Sequence, residues 1–106
     1  MDDFDFEELI SGEELTVVDF SATWCMPCRM LKPILEQVAD KIDDVNFYAL
    51  DIDENEEIAK KYRIFSVPTL VAFKQGVVID SLVGLNNYDE IIKFVKQCKV
   101  AEIPEE

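Results

Sequence analysis

The sequence predicts an α/β protein in which a mixed four-stranded sheet is covered by helices on both faces. Three observations carry that reading. Hydrophobic periodicity runs along the chain in the order helix, strand, helix, strand, helix, strand, strand, helix. The strand–helix–strand succession at the front implies a parallel pair joined by a right-handed crossover. Two strand-like runs near the end are separated only by Gln75-Gly76, which implies an antiparallel hairpin. With 106 residues, 49% of them apolar, the chain is expected to form one domain over 1–106 with a core of its own.

Each element has a local cause. Residues 4–11 (Phe-Asp-Phe-Glu-Glu-Leu-Ile-Ser) read as a short helix that Gly12 is placed to end. Residues 15–20 (Leu-Thr-Val-Val-Asp-Phe) are an apolar, β-branched run of strand length. Over 26–42 the residues Met30, Leu31, Ile34, Leu35, Val38 and Ile42 recur at spacings of three and four, one buried helical stripe, with Pro33 removing a donor and kinking it. Residues 45–51 read as a strand and 55–62 as a short helix. Residues 69–74 and 77–83 are the two strands of the hairpin. A helix over 88–98 closes the pattern, with Asn87 as its cap and Glu90 as the capping-box acid.

Composition excludes several function classes. The formal net charge is −13, eight acids fall in the first 20 residues, and no base precedes Arg29. Nucleic-acid binding needs clustered Lys and Arg and is not expected. A solvated, self-repelling surface is the plain reading of the charge, and a basic protein partner the other. No apolar run approaches the roughly 20 residues of a membrane span, so no membrane association is expected. The opening Met1-Asp2-Asp3-Phe4-Asp5 is acidic where a secretory signal would begin basic, which suggests a cytoplasmic protein. There is no histidine, so Ser-His-Asp, Cys-His and His-zinc chemistries are excluded.

What remains is thiol chemistry. Cys25 and Cys28 are close, in Trp24-Cys25-Met26-Pro27-Cys28, and Cys98 is remote. The pair falls between the first strand and the long helix. There, two thiols can close a small disulfide, and the free N–H groups and positive end of the first helical turn favour a Cys25 thiolate. Cys28, one turn inward, can attack a mixed disulfide and release the product. Pro27 suits a first turn, where a missing N–H costs little. The competing reading is half a zinc site, but beyond the pair only Cys98 and carboxylates are on offer. Cys98 stands seven residues after Ile91 and three after Val95, on the apolar face of the last helix. It reads as a buried, inert thiol, with a regulatory or intermolecular thiol as the alternative.

The run from Val17 to Arg29 (Val-Val-Asp-Phe-Ser-Ala-Thr-Trp-Cys-Met-Pro-Cys-Arg) resembles the active-site segment of the thioredoxin family. Ser66-Val67-Pro68-Thr69 resembles the family's cis-proline segment, and Val83-Gly84 the glycine after its last strand. In order and at suitable distances, these markers cover residues 4–98 and are together far more specific than Cys-x-x-Cys alone. The resemblance implies a thioredoxin-like fold, Cys25 as the attacking thiol and Cys28 as the resolving thiol. It implies that Asp19 is the buried acid beneath the disulfide, able to accept the Cys28 proton. The residues alone leave Asp19 open to being a strand-end carboxylate in solvent. A cis Val67–Pro68 bond would turn the Val67 backbone toward a substrate peptide. Trp24, Met26, Pro27, Val67, Pro68, Gly84 and Leu85 would line the docking surface, unless Trp24 is core.

Three departures from the family pattern stand out. Met26 replaces the usual glycine of the Trp-Cys-Gly-Pro-Cys motif, which bears on the redox potential. Ala49 occupies a strand position where many bacterial members carry a lysine near the buried acid, and Lys32 matches another position from which members supply one. Only Met1-Asp2-Asp3 precede the first helix, where members have a strand, so residues 45–51 are expected to be a sheet edge, guarded by charge, in a monomer.

The resemblance implies a cytoplasmic protein-disulfide reductase. Its only redox group is the Cys25–Cys28 disulfide, with no metal and no other cofactor. Its partners would be disulfide-containing proteins and a thioredoxin reductase, either a flavoprotein or an iron–sulfur enzyme. A disulfide isomerase, or an interaction or chaperone subunit using the same groove without turnover, are the alternatives.

Overall fold

The structure, a computed structural model, describes residues 5–104. Asp5 caps the first helix, α1 (Phe6–Leu9), by accepting from the Glu8 N–H. This helix is a single turn and ends earlier than the sequence suggests. Ile10 is its C-cap, and Gly12 lies two residues beyond. The Phe4 start of the expected helix and the expected absence of a strand over residues 1–3 lie outside the described residues.

The sheet comprises β1 (Leu15–Ser21), β2 (Val45–Asp51), β3 (Thr69–Lys74) and β4 (Val77–Val83) in the spatial order β2-β1-β3-β4. β1 runs parallel to β2 with Leu15 opposite Val45 and Asp19 opposite Ala49, and antiparallel to β3. β3 and β4 form the hairpin, interrupted by a register shift at Ala72/Phe73. Gln75 and Gly76 both take positive φ, 54° and 80°, the backbone a two-residue primed turn requires. Burial follows position in the sheet. The central strands β1 and β3 are buried almost throughout, whereas β2 and β4, each with one neighbour among the described residues, alternate more buried and exposed positions.

Between β1 and β2 runs α2 (Met26–Lys41), continuous through Pro33. α3 (Glu56–Lys61) and α4 (Tyr88–Val100) complete the order. The expected capping box of α4 is present: Asn87 Oδ1 accepts from the Glu90 N–H at 2.8 Å, and Glu90 Oε1 from the Asn87 N–H at 2.9 Å. Strand periodicity of two sorts β1 into two cores. Leu15 and Val17 pack with Leu31, Val38, Ile91, Val95 and Cys98 of α2 and α4. Val18 and Phe20 pack with Phe6, Ile10, Val71 and Phe73 on the other face. Met30 does not join the α2 stripe but is exposed. At 100° per residue it sits a quarter-turn before Leu31, beyond the edge of the arc that Leu31, Leu35, Val38 and Ile42 define.

Candidate active site

A third, small cluster, Ala22, Cys25 and Cys28 with Ile52 and Val67 against it, lies where β1 ends and α2 begins. The chain leaves β1 through a tight turn in which the Cys25 N–H donates to the Ala22 carbonyl at 3.2 Å. Cys25 is then the N-cap of α2, in extended conformation, with Pro27 in the first turn. Its Sγ accepts from the Cys28 N–H at 3.2 Å. That bond answers one of the donors a helix start leaves free, and it favours negative charge on Cys25 Sγ. Cys25 and Cys28 are joined as a disulfide, their Cα atoms 5.3 Å apart, and both are buried. The third cysteine takes no part. Cys98 is buried in the α4 core, and burial, assisted by Asp80, pushes its thiol up to about 11.

The Val67–Pro68 peptide bond is cis, and the Val67 carbonyl oxygen lies 3.8 Å from Cys25 Sγ. The loop is held from both sides. Thr69 Oγ1 donates to the Ser66 carbonyl at 2.7 Å, and the Gly84 N–H donates to the Pro68 carbonyl at 2.8 Å. Gly84 has φ +96°, a conformation that favours glycine, and Asn86 Nδ2 bonds the Val83 and Gly84 carbonyls. The backbone thus binds Val83–Gly84 to the cis-proline loop, which faces the disulfide.

The apolar residues named from the sequence divide by burial. Pro68 is buried and Val67 half-buried, while Pro27 is exposed. Trp24 is 65% exposed, so it is not core, and Met26 and Leu85 are exposed as well. The Trp24 indole is fixed by a 2.8 Å hydrogen bond from Nε1 to Asp53 Oδ2. Arg29 Nη2 donates to the Thr23 carbonyl at 2.8 Å and braces the same turn. Asp53, Arg29 and the almost fully exposed Phe65 were not singled out from sequence. Asp53 lies 29 residues from its partner. Phe65 carries no sequence signal of exposure, because Ile64 and Val67 flank it in an otherwise core-like run before Pro68.

Asp19 stands on the β1 face that carries Leu15 and Val17, against α2. It is 6% exposed, not a strand-end carboxylate in solvent, and its Oδ1 has no hydrogen-bond partner among the described residues. Burial pushes its carboxyl up to about 6. It lines a cavity of about 270 Å³ with Val17, Leu35, Phe47 and Ala49, and with Lys32 and Glu36. Lys32 shares this cavity but makes no ion pair with Asp19 among the described residues, and the side chain itself is exposed. No group of three or more His, Cys, Asp or Glu is arranged for a metal among the described residues, and no helix there is long and apolar enough to cross a membrane.

Chemically, a dithiol–disulfide pair at a helix N-terminus, with a buried acid on the adjoining strand, can exchange two electrons with another disulfide. Comparison with known proteins points the same way. Residues 1–97 match the thioredoxin family model. Thioredoxin H2 of Arabidopsis thaliana is 42% identical over 94 residues, 89% of this chain and 70% of its own length. A thioredoxin of Malassezia sympodialis superposes with a TM-score of 0.83 at 37% identity, covering 90% of this chain and 84% of its own. A chain solved in connection with thiol resolution of yeast mitochondrial 1-Cys peroxiredoxin via the glutathione and thioredoxin systems gives a TM-score of 0.81 at 36% identity. The match covers 87% of this chain and 86% of that one.

Proposed function

This chain belongs to the thioredoxin family and is a thiol–disulfide oxidoreductase acting on protein disulfides; from that premise we propose the roles of its residues, its electron donor and its location. The observation that carries the reading is Cys25 Sγ held at the N-terminus of α2 by the Cys28 N–H, bonded to Cys28 and facing the Val67 carbonyl.

In the reduced protein, the Cys25 thiolate attacks one sulfur of a substrate disulfide. A Cys25–substrate disulfide forms, the substrate's own S–S bond breaks, and the first substrate thiol leaves and takes a proton from solvent. Cys28 then gives up its proton, with Asp19 as the acceptor. Its thiolate attacks Cys25 Sγ, the Cys25–Cys28 bond forms, and the second substrate thiol departs. Two electrons pass from the dithiol to the substrate. A carboxyl held near 6 by burial is better matched to receiving a thiol proton at neutral pH than an ordinary one. Lys32 acts at longer range, at the wall of the same cavity.

Trp24, Met26, Pro27, Val67, Pro68, Gly84 and Leu85 form the surface on which an extended substrate segment lies, with the Val67 backbone offering strand-like pairing. A thioredoxin reductase returns the two electrons, and the protein works in the cytoplasm as a monomer without nucleic-acid or membrane partners. The yeast peroxiredoxin system supports protein disulfides as the substrate class. Insulin reduction, driven by dithiothreitol and then by a thioredoxin reductase, tests the reading. Cys25→Ser is expected to be inactive, and Cys28→Ser to accumulate mixed disulfides. Normal turnover by Cys28→Ser would refute the assignment. Fractionation of cells and sedimentation at moderate salt test location and monomeric state.

A further inference from the structure

Beyond the residues assigned above, Phe65 stands on the cis-proline loop that faces the disulfide. Its side chain is 89% exposed, the highest value among the exposed large apolar residues. An aromatic ring in water is unfavourable, and nothing in the fold rewards this one. It stands two residues before Val67, so its Cα is at most about 7.6 Å from that of the residue facing Cys25. The loop that carries it is set rather than loose. The Ile64 N–H donates to the Ala59 carbonyl at 2.9 Å on one side, and Thr69 holds the Ser66 carbonyl on the other. The N–H groups of Phe65, Ser66 and Val67 have no partner among the described residues. Exposed, unpaired backbone next to the disulfide is what an added strand uses.

We propose that Phe65 forms a specificity subsite that receives a large apolar side chain of the substrate segment, two positions from the residue lying over Val67. The proposal rests on the oxidoreductase reading and on Val67 as the docking backbone. Spacing sets the position. An added strand advances about 3.3 Å per residue with alternate side chains on one face, so the residue reaching Phe65 is next but one to that over Val67. Charge sets the chemistry. Trp24, Met26, Phe65, Val83 and Leu85 are exposed and uncharged, on a chain whose net charge is −13 and whose Asp53 borders Trp24. A charged segment would lose its hydration against these apolar side chains, and an apolar one removes both ring and ligand from water.

The test is a set of peptide disulfides identical except at that position, carrying Leu, Ser or Asp, with hydroxyethyl disulfide as a substrate too small to reach Phe65. Native protein is expected to favour Leu over Ser by about tenfold in kcat/KM, and Asp to be poorer still. Phe65→Ser should bring the Leu-to-Ser ratio close to one while reducing hydroxyethyl disulfide at the native rate. Phe65→Leu should keep the preference. A Leu-to-Ser ratio near one in the native protein, or one that survives Phe65→Ser, overturns the subsite. Failure of the native protein to reduce hydroxyethyl disulfide overturns instead the oxidoreductase reading on which the subsite depends.

Discussion

Asp19→Asn is expected to stabilise the oxidised protein at neutral pH and to lose that advantage in acid. The carboxyl is 6% exposed, with an unpaired Oδ1, and burial raises it from 3.8 to about 6. A folded-state pKa above the unfolded value means that the unfolded chain sheds this proton first as pH rises. Below the unfolded value of 3.8 both states hold the proton and Asp19 contributes no penalty. Between 3.8 and about 6 the unfolded state gains by ionising while the folded state resists. Above about 6 both states are ionised and the full cost stands. Each pKa unit is about 1.36 kcal/mol, so the cost approaches ~3 kcal/mol, a large share of a small domain's stability.

Asparagine keeps the shape but not the charge. Whatever its amide loses in hydrogen bonding does not vary with pH, so the informative quantity is the difference between two differences. Urea midpoints and slopes of native and Asp19→Asn proteins at pH 7.5 and pH 3.5 supply it. The variant's relative stability should be higher at pH 7.5 by about 2–3 kcal/mol. Equal differences at the two pH values would refute a buried, poorly solvated carboxylate. A larger relative stability of the variant in acid would reverse the sign of the argument.

Three other outcomes follow from the same structure. Cys98, buried with its thiol pushed up to about 11, is expected to resist iodoacetamide at pH 8 in the reduced, folded protein, about one thiol in a thousand being ionised, and to react only on unfolding. Mass spectrometry should find Cys98 unmodified before denaturation and modified after it. Asp53→Ala frees the Trp24 indole, so tryptophan anisotropy should fall and KM for insulin rise several-fold, while hydroxyethyl disulfide reduction is unchanged. Asn87→Ala removes half of the α4 capping box and should cost about 1 kcal/mol, read as a lower urea midpoint with the same slope.

Legibility in the sequence tracked the range of the interactions involved. The bounds of β2, β3 and β4 agree with the sequence reading because hairpin chemistry and strand period are local. The α4 cap was readable for the same reason, since Asn87 and Glu90 are three residues apart. The sequence overextends α1 because apolar content continues to Ile10, whose side chain packs in the core after the helical backbone has ended. A spacing of four to Ile34 places Met30 near the stripe but does not say where the stripe stops. The Cys25–Cys28 pair was legible from spacing and context. Asp53 and Phe65 were not, because a bond across 29 residues and the exposure of one loop ring are tertiary facts.

Asp19 lies between these cases, and the register shows why. Its strand period alone places it on a core-facing side, but whether a carboxylate there is sheltered depends on what stands opposite. Here that residue is Ala49, too short to reach the acid, so the space beside Asp19 is left as a cavity walled by Val17, Leu35 and Phe47. A long cation at the Ala49 position would have lowered the carboxyl's pKa by pairing with it, and Lys32, which lines the same cavity, makes no ion pair with it among the described residues. With desolvation unopposed, the pKa rises toward neutrality. The short side chain at position 49 of β2 therefore acts on the chemistry of β1. It leaves the acid destabilising to the fold and, for the same reason, matched to the proton-accepting role proposed for it.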